Sequence, residues 1–346
     1  MPDDHGERPF SGLPQEDERR LEGELRPQSL GQFVGAADTL RNLRTWLGGA
    51  RLRGEALDHI LFSGPPGLGK TTLAYIIANE MQAGIRPTSG PALSRPRDLV
   101  GLLTNLRRGD ILFIDEIHRL DPRVEEYLYT AMEDFFVVIV IDQGPHGRSV
   151  KVDLKPFTLI GATTREGLLA PPLRSRFQIR ERLDFYPPEE LAQIVLNSAS
   201  ILGVELADDA ARLIGLRSRG TPRVANRFLR RIRDVAQAAG TNTITEAIAV
   251  EGLKRLGVDE RGLCEMDRRI LEVLGRNGAR PVGLKTIAAV VGEQEETIED
   301  VYEPFLIRRG LMERTPRGRA VTPQGLKVIR QVSDFAGEDQ AQQGLF

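Results

Sequence analysis

The sequence predicts an α/β protein in three parts: a doubly wound parallel-sheet domain with a phosphate loop, a small helical domain, and a C-terminal winged helix. Three observations carry the prediction. Residues 64–71 read Gly-Pro-Pro-Gly-Leu-Gly-Lys-Thr directly after the apolar run Ile60-Leu61-Phe62-Ser63, and they satisfy the phosphate-loop pattern G-x-x-x-x-G-K-[ST] at every specified position. Strand and helix signals then alternate as far as about Tyr186, the order of a βα-wound sheet. Beyond Gly257, helical segments are followed by two short strand-like runs around an arginine-rich turn, the pattern of a winged helix.

In chain order, residues 1–24 are polar and acidic, with few periodic apolar positions, and read as a mobile tail. The first domain is assigned to 25–186. It opens on Leu25-Arg26-Pro27-Gln28-Ser29-Leu30 and runs through Phe33 to a helix from Ala36 to about Leu47. Two readings of that opening are level: it wraps the base of a nucleotide, or it staples the domain edge.

In the loop itself, Gly64, Gly67 and Gly69 let the backbone curl so that N–H groups face phosphate oxygens. Lys70 adds a point charge, the Thr71 hydroxyl suits Mg²⁺, and the helix begun by Thr72 adds its N-terminal dipole. Ile111-Leu112-Phe113-Ile114 is a buried-type strand ending in Asp115-Glu116. An acid at such a tip lies beside the phosphate loop, where Asp115 suits Mg²⁺ and Glu116 suits polarisation of the attacking water. Either element alone is common in ordinary turns; both together, each after a strand, predict ATP hydrolysis.

A third buried-type strand, Phe157-Thr158-Leu159-Ile160-Gly161-Ala162, ends in Thr163-Thr164. These hydroxyls suit either turn chemistry or contact with a terminal phosphate. Arg174 and Arg176 follow Pro171-Pro172. They are solvated surface, or one is an arginine finger for a neighbouring subunit's site. Pro187-Pro188 marks a linker into helices of a second domain (187–257), where Gly220-Thr221-Pro222-Arg223 opens a helix.

The third domain, 258–346, carries helices at 266–274, 284–291 and 295–307, then strands at 311–314 and 320–322. Arg308, Arg309, Arg314, Arg317 and Arg319 cluster there, opposed in sequence by Glu313 alone. The wing is solvated surface or a phosphate contact. It has no aromatic residue on which a base could stack, so the second reading implies backbone tracking rather than base reading.

Composition sets limits. The chain has 346 residues and a net charge of −2, so overall charge gives no argument for nucleic acid and any basic surface is local. Cys264 is the single cysteine, which excludes an internal disulfide and fits a packing role in a reducing cytoplasm. No apolar run reaches membrane-spanning length and no signal-peptide pattern begins the chain. The expectation is a cytoplasmic protein with no membrane contact.

Together these motifs resemble the AAA+ ATPases, and within them the RuvB family of Holliday-junction branch-migration motors. The resemblance rests on Leu61 to Thr72, on Phe113-Ile114-Asp115-Glu116-Ile117-His118-Arg119-Leu120, on Gly161-Ala162-Thr163-Thr164-Arg165, and on Arg314-Thr315-Pro316-Arg317-Gly318-Arg319. It runs from about Leu25 to about Thr322. It implies ATP and Mg²⁺ as cofactors, with ATP contacts from Leu25, Arg26, Gly67, Leu68, Gly69, Lys70, Thr71, Thr72, Glu133, Asp134, Phe135, Thr163, Thr164, Arg176, Tyr186 and Arg223. Thr71 and Asp115 are the implied Mg²⁺ residues, Lys70, Glu116 and Arg176 the implied catalytic ones, and Arg314, Arg317 and Arg319 the implied DNA contacts.

A hairpin is read at 136–154, around the turn 142–147. Its first run is apolar without alternation, so it lies buried in the sheet or exposes a sticky face; the resemblance implies docking on a RuvA-like junction-binding protein. It also implies a homo-hexameric ring on duplex DNA and a RuvC-like resolvase as a further partner. Two alternatives stand beside this reading. One is a nucleotide-switched winged-helix regulator. The other is a protein unfoldase, against which the absence of an aromatic residue from Gly90 to Leu99 counts.

Overall fold

Seven strands lie in the first part of the computed structural model, which describes residues 23–140, 149–278 and 280–330. In chain order they are β1 (Ile60–Ser63), β2 (Ile85–Ser89), β3 (Ile111–Asp115), β4 (Phe136–Val140), β5 (Ser149–Asp153), β6 (Thr158–Thr163) and β7 (Ile179–Arg182). Five of them form one parallel sheet in the order β2-β3-β6-β1-β7. The chain divides into two compact units, with the break after Tyr186.

The interior strands are legible from composition. Every residue of β1 and β6 is buried, as are Ile111 to Ile114 of β3, which is how a parallel sheet covered on both faces reads. The edge strands are not. β2 holds Arg86 and Pro87 and stays half-exposed; β7 is Ile-Arg-Glu-Arg with a single buried position. An edge strand has one hydrogen-bonding neighbour and tolerates proline and charge, so neither segment carries an apolar signal.

His59 fastens the sheet to the helix Pro122–Glu133. Its Nδ1 accepts from the Leu159 N–H at 2.9 Å and its Nε2 lies 3.1 Å from the Met132 carbonyl. The ring therefore donates from Nε2 and is neutral, and burial holds its pKa below the ordinary histidine value. The Phe157 ring packs on it, and Phe135 meets Phe157 edge-on.

β4 and β5 pair antiparallel as a separate two-stranded sheet. Val137 is fully buried while Val138 and Val150 are 40% and 44% exposed. The apolar run of β4 is thus neither wholly buried nor wholly exposed: Val138 faces out, and Val150, paired with Ile139 on the row of the buried Val137, is exposed as well. The turn at 142–147 lies outside the described residues, as do residues 1–22 of the acidic tail and residues 331–346.

In the second unit, the helices Pro188–Ile201, Asp208–Arg217, Pro222–Ala238 and Glu246–Arg255 pack with a short parallel pair, β8 (Glu205–Leu206) and β9 (Thr243–Ile244). The winged helix follows as helices Glu265–Arg276 and Leu284–Val291, a continuous helix over 295–308 with one π turn, and the antiparallel pair β10 (Met312–Thr315) and β11 (Gly318–Val321). The helix expected at 295–307 is present, with a wider turn in its middle. Pro304 has no N–H to return to the Asp300 carbonyl, and the turn before it, Ile298–Tyr302, is π-helical.

A buried ion pair ties the helical lid to the winged helix inside this unit. Arg219, in the left-handed region at φ 57°, binds Asp267, and the two side chains are 4% and 0% exposed. The Arg219 guanidinium also lies 4.6 Å from the Phe305 ring centroid. Arg308 donates to the Arg219 carbonyl across Gly220, where a Cβ would meet the guanidinium. Arg308 therefore works inside the unit and not in the basic wing, which corrects its grouping with the wing arginines.

Candidate active site

Because β1, β3 and β6 run parallel and adjacent, their carboxyl ends open on one edge, and each carries part of the site. From β1 the chain enters the phosphate loop with Gly64, Gly67 and Gly69 all at positive φ. Gly64 is forced, since a Cβ there would lie 2.2 Å from the Leu183 carbonyl oxygen. The Lys70 ammonium folds back over the loop, donating to the Gly64 and Pro65 carbonyls at 2.7 and 2.8 Å. Thr71 and Thr72 sit in the first turn of the helix Lys70–Met81, whose free N–H groups point at the loop.

Leu68 is fully buried, and its carbonyl accepts from the Tyr186 hydroxyl at 3.0 Å. Tyr186 is thereby a brace for the loop. The opening segment lies beside the same helix: Leu25 is buried, the Arg26 guanidinium is 5.5 Å from the Tyr75 ring centroid, and Phe33 packs on Gly69.

β3 delivers Asp115 and Glu116. Asp115 accepts the Glu116 N–H at 3.0 Å, and Glu116 adopts the left-handed region at φ 48°, a conformation uncommon for a residue with a side chain. His118 Nδ1 lies 3.0 Å from Thr163 Oγ1 and 3.4 Å from Glu116 Oε2. Thr163 closes β6, is fully buried, and accepts the Arg165 N–H at 3.0 Å; Thr164 follows, partly exposed.

Among the described residues no cluster of three or more His, Cys, Asp or Glu makes a self-contained metal site. The Thr71 hydroxyl and Asp115 carboxylate fit a hard cation whose other ligands are phosphate oxygens and water. The glycine cradle and the folded-back Lys70 fit those phosphates.

Arg176 is gathered with Glu133 rather than with Lys70. Its guanidinium bonds Glu133 at 2.9 Å, the Tyr129 carbonyl at 3.2 Å and the Pro172 carbonyl at 2.7 Å, and lies 4.6 Å from the Tyr129 ring centroid. Burial and the neighbouring Glu125 push the Tyr129 hydroxyl up to about 12. Asp134 and Phe135 follow Glu133, with Phe135 left-handed at φ 51° where the helix turns into β4. Arg223 stands in the first turn of the helix Pro222–Ala238, in the second unit.

In the wing, Arg317 is exposed at the turn. Arg314 and Arg319 face each other across β10–β11, and both bind Glu303, which is fully buried. Glu299 lies 3.4 Å from Arg314 and 3.3 Å from Arg319. The local opposition is therefore not Glu313 alone. Glu299 and Glu303 are brought in by the helix over 295–308, 11 to 20 residues away in sequence, where a local charge count does not reach. His118, Tyr129, Glu299 and Glu303 are the site residues that sequence reasoning left without a role. The Asp-Glu-x-His spacing was a signal for the first, and the others had none.

The chain matches the Holliday junction DNA helicase RuvB P-loop domain over residues 25–183, the RuvB AAA lid domain over 186–259 and the RuvB C-terminal winged helix domain over 260–330. It is 60% identical over 304 residues to the Holliday junction branch migration complex subunit RuvB of Myxococcus xanthus, covering 88% of this chain and 89% of that protein. It is 56% identical over 311 residues to that of Chlorobaculum tepidum, covering 89% and 90%. The solved Thermotoga maritima RuvB Holliday junction branch migration motor is 47% identical and superposes with a TM-score of 0.81, over 89% of this chain and 98% of that one. Three contiguous domain matches and these identities, on a sheet whose strand tips carry the phosphate loop and the Asp115–Glu116 pair, place the chain in the RuvB family of AAA+ proteins.

Proposed function

We propose that the chain is an ATP-driven DNA motor that translocates duplex DNA and thereby drives branch migration of Holliday junctions in recombination and repair. The observation that carries this reading is the common edge of β1, β3 and β6, where Lys70 and Thr71, Asp115 and Glu116, and Thr163 and Thr164 come together. A phosphate cradle with an acid pair beside it is built to hydrolyse a nucleotide, and family membership directs the work to junction DNA.

Lys70 and the loop N–H groups hold the phosphates. Thr71 and Asp115 would hold Mg²⁺, which would supply positive charge beside the phosphates. Glu116 orients the attacking water and takes its proton, and Thr164 offers a hydroxyl at the terminal phosphate. Leu25, Arg26 and Tyr186 enclose the nucleotide from their own subunit. Arg176, with Glu133, Asp134 and Phe135, belongs to the face presented to the next subunit in a homo-hexamer, where its guanidinium stabilises charge on the transferring phosphoryl group. Arg223 reports on the nucleotide from the lid, 187–257, and the winged helix, 258–346, carries Arg314, Arg317 and Arg319 to the DNA phosphates. The 136–154 hairpin, with Val138 exposed on one face and Val150 on the other, suits an apolar dock for a RuvA-like partner, and a RuvC-like resolvase acts on the same junction. The setting is cytoplasmic, consistent with a lone reduced Cys264; no helix among the described residues is long and apolar enough to cross a membrane. Neither the unfoldase nor the sequence-reading regulator has an observation of its own in its favour.

The deciding experiment is movement of a synthetic four-way junction, with and without a RuvA-type protein. Duplex products that form only when hydrolysable ATP is present are expected. ATP turnover with no junction movement under either condition would sink the motor reading.

A further inference from the structure

His118 is a polar side chain at the strand edge to which the proposed reaction gives no part. It stands on the short 3₁₀ turn Ile117–Arg119 just after the acid pair, and its side chain is only 7% exposed. Nδ1 makes two contacts across the strand tips: 3.0 Å to Thr163 Oγ1 on β6 and 3.4 Å to Glu116 Oε2 on the β3 tip.

The chemistry of the two neighbours sets the tautomer. A carboxylate only accepts, so a lone pair on Nδ1 would repel Glu116, whereas an Nδ1–H attracts it. Thr163 Oγ1 has two lone pairs; the Arg165 N–H takes one at 3.0 Å, and the other is open to Nδ1–H. A single N–H thus lies between a buried hydroxyl at one strand tip and the water-activating carboxylate at the next. Glu116 stands on a left-handed backbone at φ 48°, and its side chain is 37% exposed. The backbone beneath it is closely packed, since a Cβ on Gly90 would lie 2.4 Å from the Glu116 carbonyl oxygen. The main chain is fixed, and the His118 ring bears on the side chain it carries.

We propose that His118 is a positioning residue for ATP hydrolysis, aiming the Glu116 carboxylate through Nδ1 and fixing that aim to the β6 tip through Thr163. This rests on the reading of Glu116 as the water-activating group. Through Glu116 and Thr163 His118 acts on the rate of the chemical step, and nucleotide affinity is the readout that a merely structural role would move.

The test exploits which ring nitrogen does the work. An Asn amide reaches the place of Nδ1, whereas a Gln amide reaches the place of Nε2. For the full-length protein, kcat and KM for ATP and the Kd of a fluorescent non-hydrolysable ATP analogue would be measured for His118→Ala, His118→Gln, His118→Asn and Glu116→Gln. His118→Ala and His118→Gln should lose kcat by about 10²-fold, the loss typical of a misaimed catalytic group, with Kd within about twofold of the parent. His118→Asn should recover most of kcat. Full kcat in His118→Ala, equal losses in the Ala and Asn variants, or a loss that appears in Kd rather than kcat would each overturn the proposal. Glu116→Gln separates this from the underlying reading: if that variant hydrolyses ATP normally, the assignment of Glu116 is wrong whatever the His118 variants do.

Discussion

At the scale of single residues, the phosphate loop is the part of the site the sequence describes most fully. Its glycines, Lys70 and Thr71 act through backbone and chain order, so their spacing is already their geometry. Arg176 is different. Nothing in Arg174-Ser175-Arg176 separates the two arginines, yet the fold treats them differently, seating the Arg176 guanidinium on Glu133, two carbonyls and the Tyr129 ring. A planar fork so held is pre-aimed, and an ammonium could not make the same set of bonds. Arg176→Ala and Arg176→Lys should both cut ATP hydrolysis by about 10³-fold or more, the range for loss of an arginine finger. Mixing Arg176→Ala with Lys70→Ala subunits should restore part of the activity, because some sites then draw an intact loop from one subunit and an intact finger from the next. Normal hydrolysis by Arg176→Ala alone, or no recovery on mixing, would remove the finger from the mechanism.

Elements were legible where their own side chains announce them. β1, β3 and β6 read as buried strands because both faces are covered. β2 and β7 did not, because an edge strand is defined by the neighbour it lacks, and Arg86, Pro87, Arg180 and Arg182 are as acceptable there as apolar residues. The wing shows the same limit in electrostatic form. Its turn and strands follow from Thr315-Pro316-Arg317-Gly318, but the partners of its arginines come from the helix over 295–308. Arg319, 16% exposed and paired with a fully buried Glu303, holds the hairpin in place as well as carrying charge, whereas Arg317 is free of that duty at the exposed turn. Arg317→Ala should therefore weaken DNA binding about equally across sequences and lower the salt-dependence slope by about 1, with no change in thermal midpoint. Arg319→Ala should weaken DNA binding and also lower the midpoint, since it strips a partner from a buried carboxylate. Titrations of duplex DNA at several salt concentrations, with melting curves on the same samples, check both; an unchanged slope for Arg317→Ala would take that residue out of the DNA contact.

For the molecule as a whole, the motifs gave the division of labour but not what joins the lid to the winged helix. Arg219 and Asp267 are 48 residues apart and sit in segments with no shared pattern, so only the fold brings them together. The pair lies where the lid turns into the helix bearing Arg223, and Asp267 also accepts the Cys264 N–H at 2.7 Å at the start of the first winged-helix helix. The lid and the winged helix are in this way joined by a buried, hydrogen-bonded charge pair. Leaving Arg219 buried without Asp267 should cost about 3–5 kcal/mol. The chain carries its own reporter: Cys264 is the only cysteine, is buried beside the pair, and burial pushes its thiol up to about 12. A thiol reagent reaches it only when the junction opens. Asp267→Ala should then speed native-state labelling of Cys264 by about 10²–10⁴-fold, the factor that corresponds to that energy. Asp267→Asn, which can still accept a hydrogen bond, should fall between. Labelling as slow in Asp267→Ala as in the parent would mean the pair does not hold the junction closed, and the coupling of lid to winged helix would have to rest on apolar contacts alone.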